Sequence, residues 1–406
     1  MKIRGRAIKR QGYIWLFLTI LIFGLITTFS LYRYQSASLL TAPDLQALTI
    51  ETSPAQPLAW PAYGQAAVAT KEYGVLAAWG DEGPQPTASA AKLITVLAIM
   101  RQKPFSDERG ATITFAQADA MSYQSYLAGN GSVVPVTTGL VWTQYQALQA
   151  ILLGSANNVS DSMAIWAFGS LDAYRQYAQQ MVQDFGMKDT TIGSDASGYS
   201  PTTTSTAHDL ALLATKVLEE PVLREIVGQS QVALPGAGSI ENTNRLLADT
   251  EILGMKTGWI PAAGGVFVLA GRQTEGQHRH EVITVVMGAP GGASQTAQQA
   301  AYALYQSAKS NFSYQEVITK GQQVGAYRAA WSNQSVPIVA KKAVGTFVWK
   351  GVAAKVQLQA KQLSPNVQGE VGSAKVAVGA WSMSVPLGID QPIAEPSWWW
   401  RVAQRN

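Results

Sequence analysis

From Tyr13 to Leu31 the chain carries no charged residue, and apolar positions dominate ("YIWLFLTILIFGLITTFSL"). A run with no polar face predicts a helix whose surroundings are apolar on every side. Its 19 residues, rising ~1.5 Å each, suffice to cross a hydrocarbon core of about 30 Å. Lys2, Arg4, Arg6, Lys9 and Arg10 precede it. A basic flank stays cytoplasmic, so everything after Arg33 is expected outside. The competing reading is a cleaved signal peptide ending at Ser36-Ala37-Ser38. Such a segment normally has an apolar region of only ~7–15 residues, so the uncleaved anchor is the reading adopted.

Downstream, the patterning alternates between two periods. Residues 66–80 read as two short strands with a turn near Lys71–Tyr73. Residues 143–155 read as a helix capped by Thr143, with Tyr145, Leu148 and Leu152 at helical spacing. Residues 171–186 read likewise, with Gly186 as the stop. Residues 264–288 read as a hairpin, and 296–312 as a closing helix. After Phe312, "VGTFVWK", "AAKVQLQAK" and "SAKVAVGAW" alternate apolar and polar, with Gly and Pro between them. That predicts a small all-β unit. The resulting division is a basic flank and anchor (1–35), a linker (36–58), a mixed domain (59–312), a β domain (313–395) and a Trp/Arg tail (396–406). The tail's three Trp beside Arg401 and Arg405 suit a membrane interface; folding back onto the β domain is the equal alternative.

Composition removes several classes. Of 406 residues, 47% are apolar and 14% charged, which suits packed cores rather than disorder. The net charge of +4 sits largely at the two ends, so no nucleic-acid partner is expected. Cys is absent, which excludes disulfides, thiolate metal sites and a Cys nucleophile. The three His, at 208, 278 and 280, make a histidine metal site an unsuitable reading. Neither metal nor cofactor is expected.

The stretch "TASAAKLITVLAIM" (87–100) holds one lysine in an apolar helical run. Positions i and i+3 share a helix face, so Ser89 and Lys92 project together. The partial positive charge at a helix N-terminus disfavours an ammonium, and burial disfavours it further. A neutral lysine beside a serine can take its proton, which makes Ser89 a candidate nucleophile and Lys92 its base. Alone, Ser-x-x-Lys is a weak match. Two others follow in order: Ser155-Ala156-Asn157 at the end of the 143–153 helix, and Lys256-Thr257-Gly258 just before the 264–270 strand. Ser155 can relay a proton between Lys92 and a leaving group, and Asn157 can hold the substrate amide and Lys92. Lys256 keeps the site positive, Thr257 offers a hydroxyl to a carboxylate, and Gly258 lets a substrate backbone approach. This ordered trio resembles that of the penicillin-recognising serine enzymes.

The wider chain resembles the D-alanyl-D-alanine carboxypeptidases, low-molecular-mass penicillin-binding proteins of the serine peptidase S11 type. The resemblance lies in "GLVWTQYQALQAILLGSANNVSDSMAIWAFGS", "DFGMKDTTIGSDASGYSPTTTSTAHDLALLA" and "ENTNRLL". It implies an α+β fold: a penicillin-binding-protein/β-lactamase-like domain, with helices flanking an antiparallel sheet, then a small all-β domain. It also implies an acyl-enzyme on Ser89, an oxyanion hole from the backbone N–H groups of Ser89 and Trp259, peptidoglycan stem peptides as substrate, and β-lactams as covalent inhibitors. The expected activity is removal of a terminal D-alanine outside the cell membrane.

The sequence also departs from that pattern. The family usually carries an arginine after the last sheet strand, facing the substrate's terminal carboxylate; residues 287–309 contain none. DD-endopeptidase activity on cross-linked peptides therefore stands as an alternative. A β-lactamase shares the trio, but no Glu stands in a matching setting between the second and third motifs. A Ser-His-Asp hydrolase through His208-Asp209 lacks the Gly-x-Ser-x-Gly elbow. A non-catalytic penicillin-binding protein fits least, because all three motifs are intact.

Overall fold

The computed structural model describes residues 4–36, 40–48, 53–379 and 381–403. Lys2, the Ser36-Ala37-Ser38 cleavage motif beyond Ser36, and Arg405 lie outside them. A single helix spans Arg4–Ser36. Its segment Gln11–Gln35 has a mean hydropathy of 2.3 and is long and apolar enough to cross a membrane. The apolar side chains from Tyr13 to Leu31 are exposed, as a helix solvated by lipid requires.

At the centre is a five-stranded sheet in the order Ile252–Ile260, Gly264–Glu275, His278–Ala289, Gln65–Thr70, Gly74–Gly80. Every pairing is antiparallel. Alternate side chains enter two different cores. Val266, Val268, Ala270, Ile283 and Val285 join a core with the helices Ala91–Gln102, Gln144–Leu152, Asn157–Phe168 and Ala207–Glu219. Phe267, Leu269, Val282 and Val286 pack instead against the helix Gln295–Lys309. A sheet covered on both faces explains why "GGVFVLAG" and "VITVVMG" read as near-continuous apolar runs. The helix Ala91–Gln102 is buried from Ala91 through Met100. It is the central helix of the domain, apolar all round because helices and sheet enclose it.

Thr143 caps the helix Gln144–Leu152, its hydroxyl accepting from the Gln146 backbone N–H at 3.2 Å. The helix Leu171–Asp184 is followed by Gly186 at φ 80°. The closing helix ends at Lys309, earlier than its pattern suggests. Phe312 starts a strand instead, Phe312–Ile318, with its ring edge-on to Trp349 at 4.7 Å. Packing at this aromatic junction overrides the local helical pattern.

The C-terminal part has its own core, which includes Tyr327, Ile338, Val376 and Leu387. Its larger sheet has six strands. The edge strand is Pro43–Leu45, from the segment expected to be a linker; it pairs with Gln323–Arg328. Open-edge backbone groups recruit the passing chain. At the other end a short helix spans Trp398–Ala403. Trp400 lies edge-on to Trp331 at 5.2 Å, and the Arg401 guanidinium sits 4.5 Å from the Tyr34 ring centre. Trp398 and Trp399 stay 48% and 73% exposed. One indole thus folds back while two face outward.

Candidate active site

Ser89 occupies a 3₁₀ turn, Ala88–Ala90, that feeds directly into the helix Ala91–Gln102. Ala88 is held at φ 47°, a left-handed conformation costly for a residue with a Cβ. The turn is clamped from outside: a Cβ on Gly198, itself at φ 70°, would lie 2.0 Å from the Ala88 carbonyl oxygen. Ser89 is half-buried and opens into a cleft, whereas Lys92 is completely buried. The lysine Nζ lies 2.9 Å from Ser89 Oγ, 2.7 Å from Asn157 Oδ1 and 2.7 Å from the Ser197 carbonyl oxygen. Two of these partners can only accept. A neutral amine has two N–H donors for them and one lone pair, which is left facing the serine hydroxyl. Burial lowers the lysine pKa to about 7, against the opposing pull of Asp195 and Asp161.

Ser155 lies in the corner between the helices Gln144–Leu152 and Asn157–Phe168, and Asn157 is the first residue of the second. Ser155 takes φ 55° at that corner. The Asn157 backbone N–H donates to the Ser132 carbonyl at 2.8 Å, tying the corner to the loop at 129–132. The third motif lies within its own strand, Ile252–Ile260, and not in a turn before one. Gly258 is needed there: a Cβ would sit 2.9 Å from the Ser89 backbone nitrogen and 3.1 Å from the Ala88 Cβ. That edge strand therefore runs directly alongside the Ser89 amide. Lys256 is buried and donates to the Thr257 carbonyl at 2.9 Å. Burial, then the charge of Lys92, holds its pKa well below the ordinary lysine value. The Thr257 hydroxyl is 2.6 Å from that of Thr243. The Trp259 indole donates to the Gly291 carbonyl at 2.8 Å.

Ser89, Ser155, Asn157, Thr257, Gly258 and Trp259 all line one cleft of about 950 Å³. Its other walls include Ser132, Tyr199, Ser200, Thr243 and Ser294. Among the described residues, those lining it include hydroxyls and apolar groups but no Asp, Glu, Arg or Lys side chain. His208 contacts Asp209 at 3.3 Å but borders a different cavity, with Trp79 and Asp81.

Residues 54–291 match the family model of Peptidase S11, D-alanyl-D-alanine carboxypeptidase. The chain belongs to this family. It is similar to the D-alanyl-D-alanine carboxypeptidase DacA of Escherichia coli K12, with 28% identity over 221 residues, 53% of either chain. The chain thus matches about half the length of that curated relative. Two solved structures share the fold. Penicillin binding protein 5 from Haemophilus influenzae superposes with a TM-score of 0.58 at 20% identity, covering 87% of this chain and 99% of its own. A peptidoglycan synthesis regulatory factor (PBP3) from Streptococcus pneumoniae gives 0.64 at 19% identity, covering 83% and 100%. The fold class is the expected one, an antiparallel sheet with flanking helices followed by an all-β domain.

Within this S11 chain, several residues of the site went unread in the sequence. Ser197 offers a backbone carbonyl, which no side-chain pattern marks. Asp195 accepts from the Ser197 backbone N–H at 2.7 Å and from its hydroxyl at 2.6 Å. Asp161 accepts from the Ala196 backbone N–H at 2.9 Å and from the Tyr126 hydroxyl at 2.5 Å. A carboxylate four residues after Asn157, on the same face of a buried helix, was the available signal for Asp161.

Proposed function

We propose that the protein is a membrane-anchored serine D-Ala-D-Ala carboxypeptidase acting on peptidoglycan stem peptides. The observation that carries this reading is Lys92: fully buried, 2.9 Å from Ser89 Oγ, its other two contacts both acceptors. In the first half-reaction Ser89 Oγ bonds to the carbonyl carbon of the penultimate D-alanine, and its proton passes to Lys92. The negative charge that develops on the carbonyl oxygen is met by the backbone N–H groups of Ser89 and Trp259. The C–N bond then breaks, and the leaving D-alanine amine takes the proton from Lys92 by way of Ser155. Asn157 holds Lys92 and the substrate amide, while the Thr257 hydroxyl, next to Lys256 in the strand, receives the terminal carboxylate. Gly258 leaves room for the substrate backbone. In the second half-reaction water cleaves the Ser89 ester. β-Lactams would acylate the same oxygen.

The cleft favours this over a β-lactamase of the type that deacylates through a poised carboxylate, since no Asp or Glu lines it among the described residues. The test is release of D-alanine from a cell-wall pentapeptide. Activity that vanishes in Ser89→Ala supports the reading; equal release by that variant contradicts it.

We read the helix Arg4–Ser36, long and apolar enough to cross a membrane, as a single uncleaved anchor, with the cleft outside the cytoplasm. The exposed indoles of Trp398 and Trp399, on a helix packed beside the anchor's outer end, suit the bilayer interface. The protein is expected to stay with membranes through alkaline and high-salt washing. A mature N-terminus near Ser38, read by sequencing, would refute the anchor.

A further inference from the structure

Behind Lys92 lies a partly buried network that the proposed reaction does not use, reaching the cleft wall at Ser200. The Ser197 carbonyl that accepts from Lys92 belongs to a loop held from two sides. Asp195 gathers the Ser197 and Ser200 backbone N–H groups and the Ser197 hydroxyl, at 2.7, 2.9 and 2.6 Å. Asp161 reaches the loop from the helix Asn157–Phe168 through the Ala196 backbone N–H. Tyr126, from the helix Gln117–Ala128, closes the network with its hydroxyl on Asp161. On the remaining side Thr95, one turn along from Lys92, lies 2.5 Å from the Ala196 carbonyl oxygen and 2.7 Å from the Tyr174 hydroxyl.

We propose that Asp161 and Asp195 are positioning residues for Lys92: they fix the Ser197 carbonyl against its amine and set two negative charges behind it, so that the proton taken from Ser89 is held until the leaving group collects it. The chemistry of the pocket calls for such a device. Lys92 is completely buried, and burial disfavours its protonated form. Without compensation the amine would be too weak a base to accept a serine proton near neutral pH. The titratable groups around Lys92 are Lys256 from the strand, Asp195 from the loop, Asp161 and Tyr126 from two helices, and Tyr174 through Thr95. Only the two aspartates favour the protonated amine. Burial, with the charge of Asp195, raises the Asp161 carboxyl above its usual range against the opposing pull of the Tyr126 and Ala196 hydrogen bonds and the charge of Lys92.

This inference rests on Lys92 acting as the base of Ser89, and the test separates the two claims. The rate constant for acylation by a fluorescent penicillin is measured between pH 5 and 9. In the unaltered protein it should rise through an acid limb near pH 7, as Lys92 loses its proton. Asp161→Asn keeps the shape of the side chain and removes the charge. Its limb should move to lower pH, on the order of one unit, with slower acylation at the plateau. Asp195→Asn should move the limb the same way. Tyr174→Phe breaks the hydrogen bond to Thr95 in the same network and touches neither carboxylate, so its limb should stay in place. A limb that stays in place in both aspartate variants while the plateau falls would overturn the proposal, as would an equal shift in Tyr174→Phe. Absence of acylation in the unaltered protein would instead contradict the serine–lysine reading itself.

Discussion

Replacing Lys92 with alanine is expected to slow acylation of Ser89 by about 10³–10⁴-fold, near the upper end of what a positioned base contributes. The amine is the basic group hydrogen-bonded to the serine hydroxyl, at 2.9 Å. His208, paired with Asp209, borders another cavity and cannot take over. The loss has a second part, because Asn157 Oδ1 and the Ser197 carbonyl lose their shared donor. The residual rate should also lose the acid limb near pH 7, since the group that titrates there is gone. Stopped-flow acylation with a fluorescent penicillin reads both effects. A Lys92→Ala protein that acylates within tenfold of the unaltered one would remove the lysine from the mechanism.

The second large effect concerns the substrate's terminus. A carboxypeptidase must recognise a free carboxylate, and the family usually assigns an arginine to that task beside the threonine of the third motif. Here the cleft is lined by hydroxyl groups such as Thr243, Thr257 and Ser294, with no arginine or lysine side chain in its wall. Arg272 and Arg279, on the distal half of the hairpin, are too remote to substitute. Val266 is the strand partner of Gly258, and Arg272 lies six residues beyond it, about 20 Å along an extended strand. A charge-assisted hydrogen bond contributes about 1.5–3 kcal/mol, so its absence should cost roughly 10–100-fold in discrimination. The expected result is carboxypeptidase activity with weak preference for a free terminus, and detectable cleavage of amidated or cross-linked peptides. The measurement is kcat/KM for matched peptides with free and amidated D-Ala ends. A preference of roughly a thousandfold or more would show that a cation reaches the carboxylate. Arg245 would then be the first to replace: it is two residues from Thr243, and its exposed side chain is paired only loosely with Glu241 at 3.2 Å.

What could be read beforehand was whatever local spacing determines. Ser89 and Lys92 share a face because helices repeat every 3.6 residues. The hairpin at 264–289 announced itself through two apolar runs around a polar tip. Lys92 was conspicuous because its neighbours are apolar, and that is the pattern of a helix enclosed on all sides. What escaped depends on chain segments that meet only after folding. The strand at 252–260 was hidden because its Lys, Thr and two Gly weaken the apolar signal, and its identity as a sheet edge rests on pairing with 264–271. Pro43–Leu45 becomes a strand only because Gln323–Arg328 offers an edge. The carboxylates behind Lys92 come from positions 161 and 195; the first shares a helix face with Asn157, but nothing near the second says that it approaches position 92. In the tail, Trp400 folds onto Trp331, while Trp398 and Trp399 face outward.

The claim on which the rest depends is that Ser89 carries the acyl group. Its direct measurement is peptide mapping by mass spectrometry after brief incubation with benzylpenicillin. One added penicilloyl mass per chain is expected, confined to the peptide containing Ser89 and absent from Ser89→Ala. A stable adduct on Ser155 or any other residue, or an undiminished adduct in Ser89→Ala, would contradict it.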